Sequence, residues 1–261
     1  MSAPLFLAGV LHLLPLPAAP RSSPGFERVR SRALRDAELL AAGGMRGVVV
    51  ENLGDAPFAA SRVSPHVGPM LARVAAEVRA AFPELVVGIN VLRNDGLTAL
   101  GAAAAADAHF IRVNVLVGAT WTDQGLIEGE AHALLRYRRE LGLEGRVRVA
   151  ADVQVKHGVP AGATDRAEVA RETARRGGAD VLIVTGRATG APAALDDLRC
   201  VRAAVPEVEL WVGSGVDPQS VGALRGLCDG AIVGTALHEL GALERPLDLA
   251  RVRALVAAAA G

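Results

Sequence analysis

A chain of 261 residues and 26.9 kDa, 51% hydrophobic and 21% charged, carries enough apolar side chain to pack a core and is not a disordered polypeptide. Its 28 basic and 28 acidic residues leave no formal net charge, which excludes a strongly basic nucleic-acid binder or a polybasic membrane-surface protein. Aromatics at 3% are too few for a base-stacking surface, so no nucleic-acid partner is expected.

The first 16 residues are apolar but lack a basic flank, and His12, Pro15 and Pro17 fit a strand and turn rather than a secretory leader. A strand over 5–11 precedes a helix over 28–42, which Gly43 and Gly44 end. Strand 47–51 leads to helix 70–81, strand 85–90 to helix 97–106, and strand 110–114 to helix 128–141. The long loop before that last helix, through Thr122, Asp123, Gln124 and Gly125, reads as a lid or a solvated loop. Strand 147–153 precedes a helix over 166–176, opened by Asp165 with Glu168 three residues on and closed by Gly177 and Gly178. Strand 181–185 leads to helix 193–205. Strand 209–213 leads to helix 219–227, where Asp217 and Pro218 form a cap and a first helical position. Strand 231–234 leads to helix 249–259.

The strands are nearly continuous apolar runs, as in a parallel sheet covered by helices. Eight such units in one chain of this length predict a single (β/α)8 TIM barrel domain over 1–261. A doubly wound open sheet is the alternative, but it wants a glycine-rich turn after the first strand, where this chain has His12, Leu13, Leu14 and Pro15. No apolar run of about 20 residues occurs, so no membrane span is expected, while peripheral membrane association and a homo-oligomer stay open. Cys200 and Cys228 have no metal-like spacing and read as packing thiols in a reducing, cytoplasmic compartment.

Barrels of this kind place their chemistry where the strands end. Here those ends carry His12, Glu51, Asn52, Asn90, Asn114, Asp152, Thr185, Ser214 and Thr235. Period-two alternation aims Glu51, Asn90, Asn114, Asp152 and Thr185 inward, with Arg112 two residues before Asn114. Glu51, Asp95 and Asp152 are the acid/base candidates. Asp95 could equally cap the helix near Leu97, and Asp152 could equally form a structural ion pair with Arg112. Of the 28 basic residues 27 are Arg, and the one Lys, Lys156, follows the fifth strand beside His157. A lysine there can hold an anion, act as a desolvated base or form a Schiff base, and the anion-holding role is the one expected. Arg93 and Asp123 add polar contacts, and His12 is a substrate contact or a core histidine. Gly186, Gly190, Gly213, Ser214, Gly215, Gly234 and Thr235 follow adjoining strands and predict a phosphate site, because glycine lets backbone N–H groups approach an anion. The His residues show no ligand spacing, so neither a metal nor another cofactor is expected.

Several long stretches are more specific than any of these. They are Gly9 through Pro17 (GVLHLLPLP), Val50 through Phe58 (VENLGDAPF), Gly88 through Asp95 (GINVLRND), Phe110 through Asn114 (FIRVN) and Thr122 through Gly125 (TDQG). With Ala151, Asp152 and Val153, Lys156 and His157, and Val184, Thr185 and Gly186, they resemble the BtpA family, from about residue 8 to about residue 235. Ala18 and Ala19 depart from the Gly-Ser-like pair expected there, which alters the first loop. The resemblance implies a barrel of the ribulose-phosphate-binding type. It also implies a link to photosystem I biogenesis, for which the founding, peripheral thylakoid member is named, although members occur in organisms without photosynthesis. Two functions follow. One is an enzyme of lyase, isomerase or glycosyl-transfer type acting on a small phosphorylated or anionic sugar or nucleoside derivative. The other is a non-catalytic assembly or stability factor for a membrane complex.

Overall fold

The structure is a computed structural model of the chain, and its described residues are 4–21, 23–162, 165–186 and 190–261. Arg187, Ala188 and Thr189, in the middle of one expected glycine loop, lie outside them. The strands in chain order are β1 (Phe6–His12), β2 (Gly47–Glu51), β3 (Val86–Asn90), β4 (Phe110–Val113), β5 (Ala119–Thr122), β6 (Gly125–Glu128), β7 (Arg148–Asp152), β8 (Gly158–Pro160), β9 (Val181–Val184), β10 (Glu209–Val212) and β11 (Gly230–Val233). Eight of them close a barrel in the order β1-β2-β3-β4-β7-β9-β10-β11, with every neighbouring pair parallel. The helices α1 (Phe26–Ala42), α2 (Val67–Ala81), α3 (Gly96–Ala106), α4 (Ala131–Glu140), α5 (Arg166–Arg171), α6 (Leu195–Ala204) and α7 (Leu249–Ala260), with a short 3₁₀ turn in the helix position after β10, complete a (β/α)8 TIM barrel.

Local chemistry explains most of the element ends. Asp165 accepts from the Glu168 N–H at 3.0 Å and starts α5. Gly44 (φ 91°) and Gly178 (φ 66°) take the left-handed turns after α1 and after the π-helical end of α5 at Glu172–Arg176. The expected helix over 219–227 is instead a 3₁₀ turn, Val221–Leu224. Asp217 accepts from the Gln219 N–H at 3.0 Å and the Ser220 N–H at 2.7 Å and so closes the turn that precedes it rather than capping it, while Gly222 and Gly226 each weaken a helix by about 1 kcal/mol relative to Ala, and Gly226 turns left-handed at φ 73°. The loop expected through Thr122 and Gly125 is a β-hairpin. Strand β5 pairs antiparallel with both β6 and β8, giving a three-stranded sheet, and it displaces the start of α4 from 128 to Ala131.

Two cores result. The larger lies between strands and helices and includes Cys228, whose thiol burial pushes up to about 12. The smaller fills the barrel and is built from alternate inward residues, among them Ala8, Val10, Val49, Phe110, Ala150, Ile183, Trp211 and Ile232. Phe110 and Trp211 meet edge to face at 5.2 Å. A Cβ on Gly88 would lie 2.2 Å from the Phe110 ring, so only glycine lets that ring cross the barrel axis. Among the described residues no helix is long and apolar enough to cross a membrane.

Candidate active site

The same alternation, carried one step beyond the apolar layer, brings polar side chains to the C-terminal mouth. Val49 is followed inward by Glu51, Gly88 by Asn90, Phe110 by Arg112 and Ala150 by Asp152. The strand register sets Glu51 opposite Asn90, and Asn90 opposite Arg112. These side chains open on a cavity of about 570 Å³ lined by His12, Glu51, Asn90, Arg93, Arg112, Asn114, Asp123, Lys156 and His157, with Leu53, Phe58 and Leu92 as its apolar wall. All nine polar lining residues are sequence-expected site residues. The three apolar ones were missed, because a Leu or Phe in a loop carries no signal that separates a cavity wall from core. A larger cavity of about 850 Å³ lies away from the mouth, between α2 and α3, and no carboxylate or lysine lines it.

Glu51 is 7% exposed and accepts from the Asn90 Nδ2 at 2.7 Å, and its other oxygen lies 3.9 Å from His12 Nε2. Burial lowers the His12 pKa to about 4 despite the attraction of Glu51, so the ring is neutral near pH 7. Its Nδ1 is buried with no partner among the described residues, and the His238 ring lies 5.7 Å away.

Arg112 grips Asp152 through two parallel bonds of 3.0 Å, and Asn114 donates a third to the same carboxylate at 3.0 Å. Burial alone would lower the Arg112 pKa, but the Asp152 charge and hydrogen bonds outweigh it and raise it. Asp152 therefore does not line the cavity. The geometry favours the structural ion pair over the acid/base role, with Asp152 fixing the guanidinium that does line it. Gly213 makes room for this pair, since a Cβ there would stand 2.6 Å from Ile183 Cγ2 and 3.1 Å from Arg112 Nη2.

Lys156 sits on a strained loop. Gln154 and His157, at φ 58° and 56°, are left-handed non-glycine residues on either side of it, a conformation that costs about 1–3 kcal/mol each. Arg93, itself 5% exposed, donates to the Lys156 carbonyl at 2.6 Å and ties the loop after β3 to the loop after β7. Burial, then Arg112, lower the Lys156 pKa, and its ammonium makes no ion pair within 4.0 Å among the described residues.

Other expected site residues serve the frame. Asp95 takes the capping alternative: its carboxylate accepts from Thr98 N at 3.0 Å at the start of α3, and also from Thr98 Oγ1 at 2.8 Å and Val63 N at 3.0 Å, and it is not among the residues lining the cavity. Asn52 likewise lies behind the cavity wall, accepting from Leu92 N at 2.8 Å and donating to Asp55 at 3.1 Å. Two of the glycine loops meet each other at Ser214. The Gly186 N–H donates to Ser214 Oγ at 2.7 Å, Ser214 Oγ donates to the Ala191 carbonyl at 3.1 Å, and Gly215 (φ 68°) packs against the Pro192 backbone. Gly234 abuts the His12 ring, and Thr235 opens a 3₁₀ turn beside Gly190. Thr185 faces a neighbouring chamber, with Gly186. Among the described residues no three His, Cys, Asp or Glu side chains converge as a metal site.

A sequence profile of the BtpA family matches residues 4–261. The photosystem I biogenesis protein BtpA of Synechocystis is 44% identical over 252 residues, covering 97% of this chain and 87% of its own. Among solved structures, phosphoribosyl anthranilate isomerase from Thermus thermophilus aligns over 98% of each chain with a TM-score of 0.58 at 14% identity. Orotidine 5'-phosphate decarboxylase from Pyrococcus horikoshii gives 0.59 at 12% identity, over 98% of this chain and 99% of its own. Identities that low show the barrel fold alone. The profile match over nearly the whole length, joined by a relative of this identity and coverage, establishes that the chain belongs to the BtpA family.

Proposed function

We propose that the protein is an enzyme acting on a small phosphorylated or otherwise anionic metabolite, a sugar or nucleoside derivative, by acid/base chemistry at the C-terminal mouth of the barrel. The observation that carries this reading is the pairing of Lys156 with Glu51 in one cavity. Lys156 is an ammonium without a carboxylate partner among the described residues, and it suits an incoming anion. Glu51 is held by Asn90 rather than by a cation, and the neutral His12 imidazole at 3.9 Å is beyond direct hydrogen-bond reach, so the carboxylate is left to exchange a proton with a substrate in the cavity. Arg112, locked by Asp152, offers its remaining donors to the ligand. The solved barrels of like fold include two whose names carry phosphorylated substrates, and that agrees with this substrate class.

The test is a thermal-shift screen with phosphosugars against their unphosphorylated sugars, because a ligand that binds only the folded state raises its stability. Phosphate esters should raise the melting temperature, and the free sugars should not. Lys156→Arg should weaken binding by about 1–3 kcal/mol, since the longer planar fork cannot replace a compact ammonium in this cavity. Equal calorimetric affinities for wild type and Lys156→Arg would remove Lys156 from the site. No stabilisation by any phosphate ester would overturn the substrate class.

A second reading, an assembly or stability factor for a membrane complex, is favoured by the name of the Synechocystis relative. It requires that Glu51→Gln leave complex assembly intact, whereas the enzyme reading requires that this variant lose function.

A further inference from the structure

The antiparallel sheet of β5, β6 and β8 has one face packed on the protein, where Ile127 meets Val115 and Val155. Its other face is bare. There Trp121 stands directly opposite Leu126 on β6 and Val159 on β8, so the three make one contiguous patch. They are 56%, 40% and 67% exposed. A contiguous apolar patch with a Trp at its centre marks a surface that something covers. Its surroundings are acidic. No Lys or Arg occurs from 113 to 135, whereas Asp123, Glu128 and Glu130 do. Glu128, two residues after Leu126 on β6, is exposed on the same outward face. An anionic bilayer wants basic residues around such a patch, so the charge points to a protein face that is apolar and carries cations.

The chain itself has such a face. The cavity of about 850 Å³ between α2 and α3 is lined by small residues of both helices, Gly68, Ala72, Ala76, Gly101 and Ala105, with Tyr137 of α4 beside them. Arg62 and Arg73 line it too, and no carboxylate does. The Arg73 side chain is 66% exposed and reaches Glu77 through Nε. Arg62 binds Glu130, two residues past β6, at 2.8 Å, which sets this groove beside the foot of the hairpin in the same molecule.

We propose that the protein pairs with a second copy of itself about a two-fold axis, with the Trp121 patch of each copy seated in the α2–α3 groove of the other. Patch and groove are neighbours on one chain and carry opposite charge, so reciprocal seating closes at two copies and covers both surfaces. The pairing bears on the barrel mouth as well. The β5–β6 turn carries Asp123 into the cavity wall, and His157 of the same wall directly precedes β8, so a docked hairpin fixes that side of the mouth. The inference stands on these surfaces and not on the reaction proposed for the mouth.

Sedimentation equilibrium of the full chain, joined to iodide quenching of its tryptophan fluorescence, tests it. Wild type should show the mass of two chains. Its fluorescence should resist iodide, because Trp211 is buried in the barrel and Trp121 is covered by the partner. Trp121→Thr removes the centre of the patch. Ala105→Arg, a good helix former at an exposed position of α3, fills the groove. Each should weaken association at least about tenfold, as loss of a central interface contact does. Mixed together, the two variants should associate more tightly than either does alone, since only the mixed pair brings an intact patch against an intact groove. A single-chain mass for wild type at every concentration overturns the pairing, and binding to vesicles of phosphatidylcholine and phosphatidylglycerol would then assign the patch to a membrane instead. An association that both variants leave unchanged, an assembly of more than two copies, or a mixture no tighter than its components overturns it equally. If Trp121→Thr fails to fold, Ala105→Arg decides: undiminished association removes the groove from the interface.

Discussion

Burial holds the His12 imidazole at a pKa of about 4, with Glu51 pulling upward and His238 and Lys156 adding to the depression. The unfolded chain takes up that proton near pH 6.5, while the folded chain waits until about pH 4. Between those values the unfolded state binds more protons, so stability falls as pH drops through the window and is fully present above it. The loss is on the order of 3 kcal/mol from this one residue. Urea unfolding at pH 7.0 and about pH 4.5 should show this decline in wild type and a clearly shallower one in His12→Gln, which keeps a polar side chain without the titration. Parallel slopes for the two proteins would place the pH sensitivity elsewhere. The residue identities around the cavity were legible in the sequence, because polar types at strand ends with period-two spacing stand out against apolar strands. Their partners were not, since Asp152 on Arg112 and Asn52 on Leu92 join residues about 40 positions apart in the chain.

Helix α3 shows what an acidic residue near a site can be doing instead of chemistry. Asp95 satisfies the Thr98 N–H and the Val63 N–H at once, joining the helix start to the loop before α2. Asp95→Ala leaves both donors without their acceptor and should destabilise the fold by about 1–3 kcal/mol, read as a shift in the chemical-denaturation midpoint. Binding of phosphate esters should not change, and a loss of affinity at unchanged stability would return Asp95 to the site. The hairpin of β5 and β6 is the element that the sequence hid. Its strands are four residues long, and outward Trp121 is 56% exposed where an outward strand position is normally polar, so period-two patterning fails. Its pairing with β8 comes from a segment more than 30 residues on, which no local signal announces.

At the scale of the whole barrel, closure depends on matching large inward side chains with small ones across neighbouring strands. Gly88 admits the Phe110 ring, and Trp211 stands edge-on behind that ring at 5.2 Å, so the ring has no room to retreat. Gly88→Ala places a methyl 2.2 Å from ring carbon and should cost about 1–3 kcal/mol of stability by overpacking, with the circular-dichroism spectrum of a barrel retained. Unchanged stability would mean that the interior yields more readily than a close-packed core does. The same layering carries the polar ring upward to the cavity, so a strained interior should also loosen ligand affinity modestly, as titration of the Gly88→Ala protein would show.

The sequence by itself determined the barrel, the eight strands, and the set of polar residues that meet at its mouth. Strand hydrophobicity, helix caps and two-residue alternation are local properties written in consecutive side chains. The tertiary structure decided which of those residues face open volume and which are already satisfied. Asp95 and Asp152 are both acids on the C-terminal side of the strands, and only their neighbours across the fold make one a helix cap and the other an anchor for Arg112. The Gly186 N–H was taken up by Ser214, while Arg166, unremarkable as the first residue of a helix, came to share a chamber wall with Thr185. Hydrogen-bond satisfaction is a sum over every group packed around an atom, and most of those groups come from distant parts of the chain.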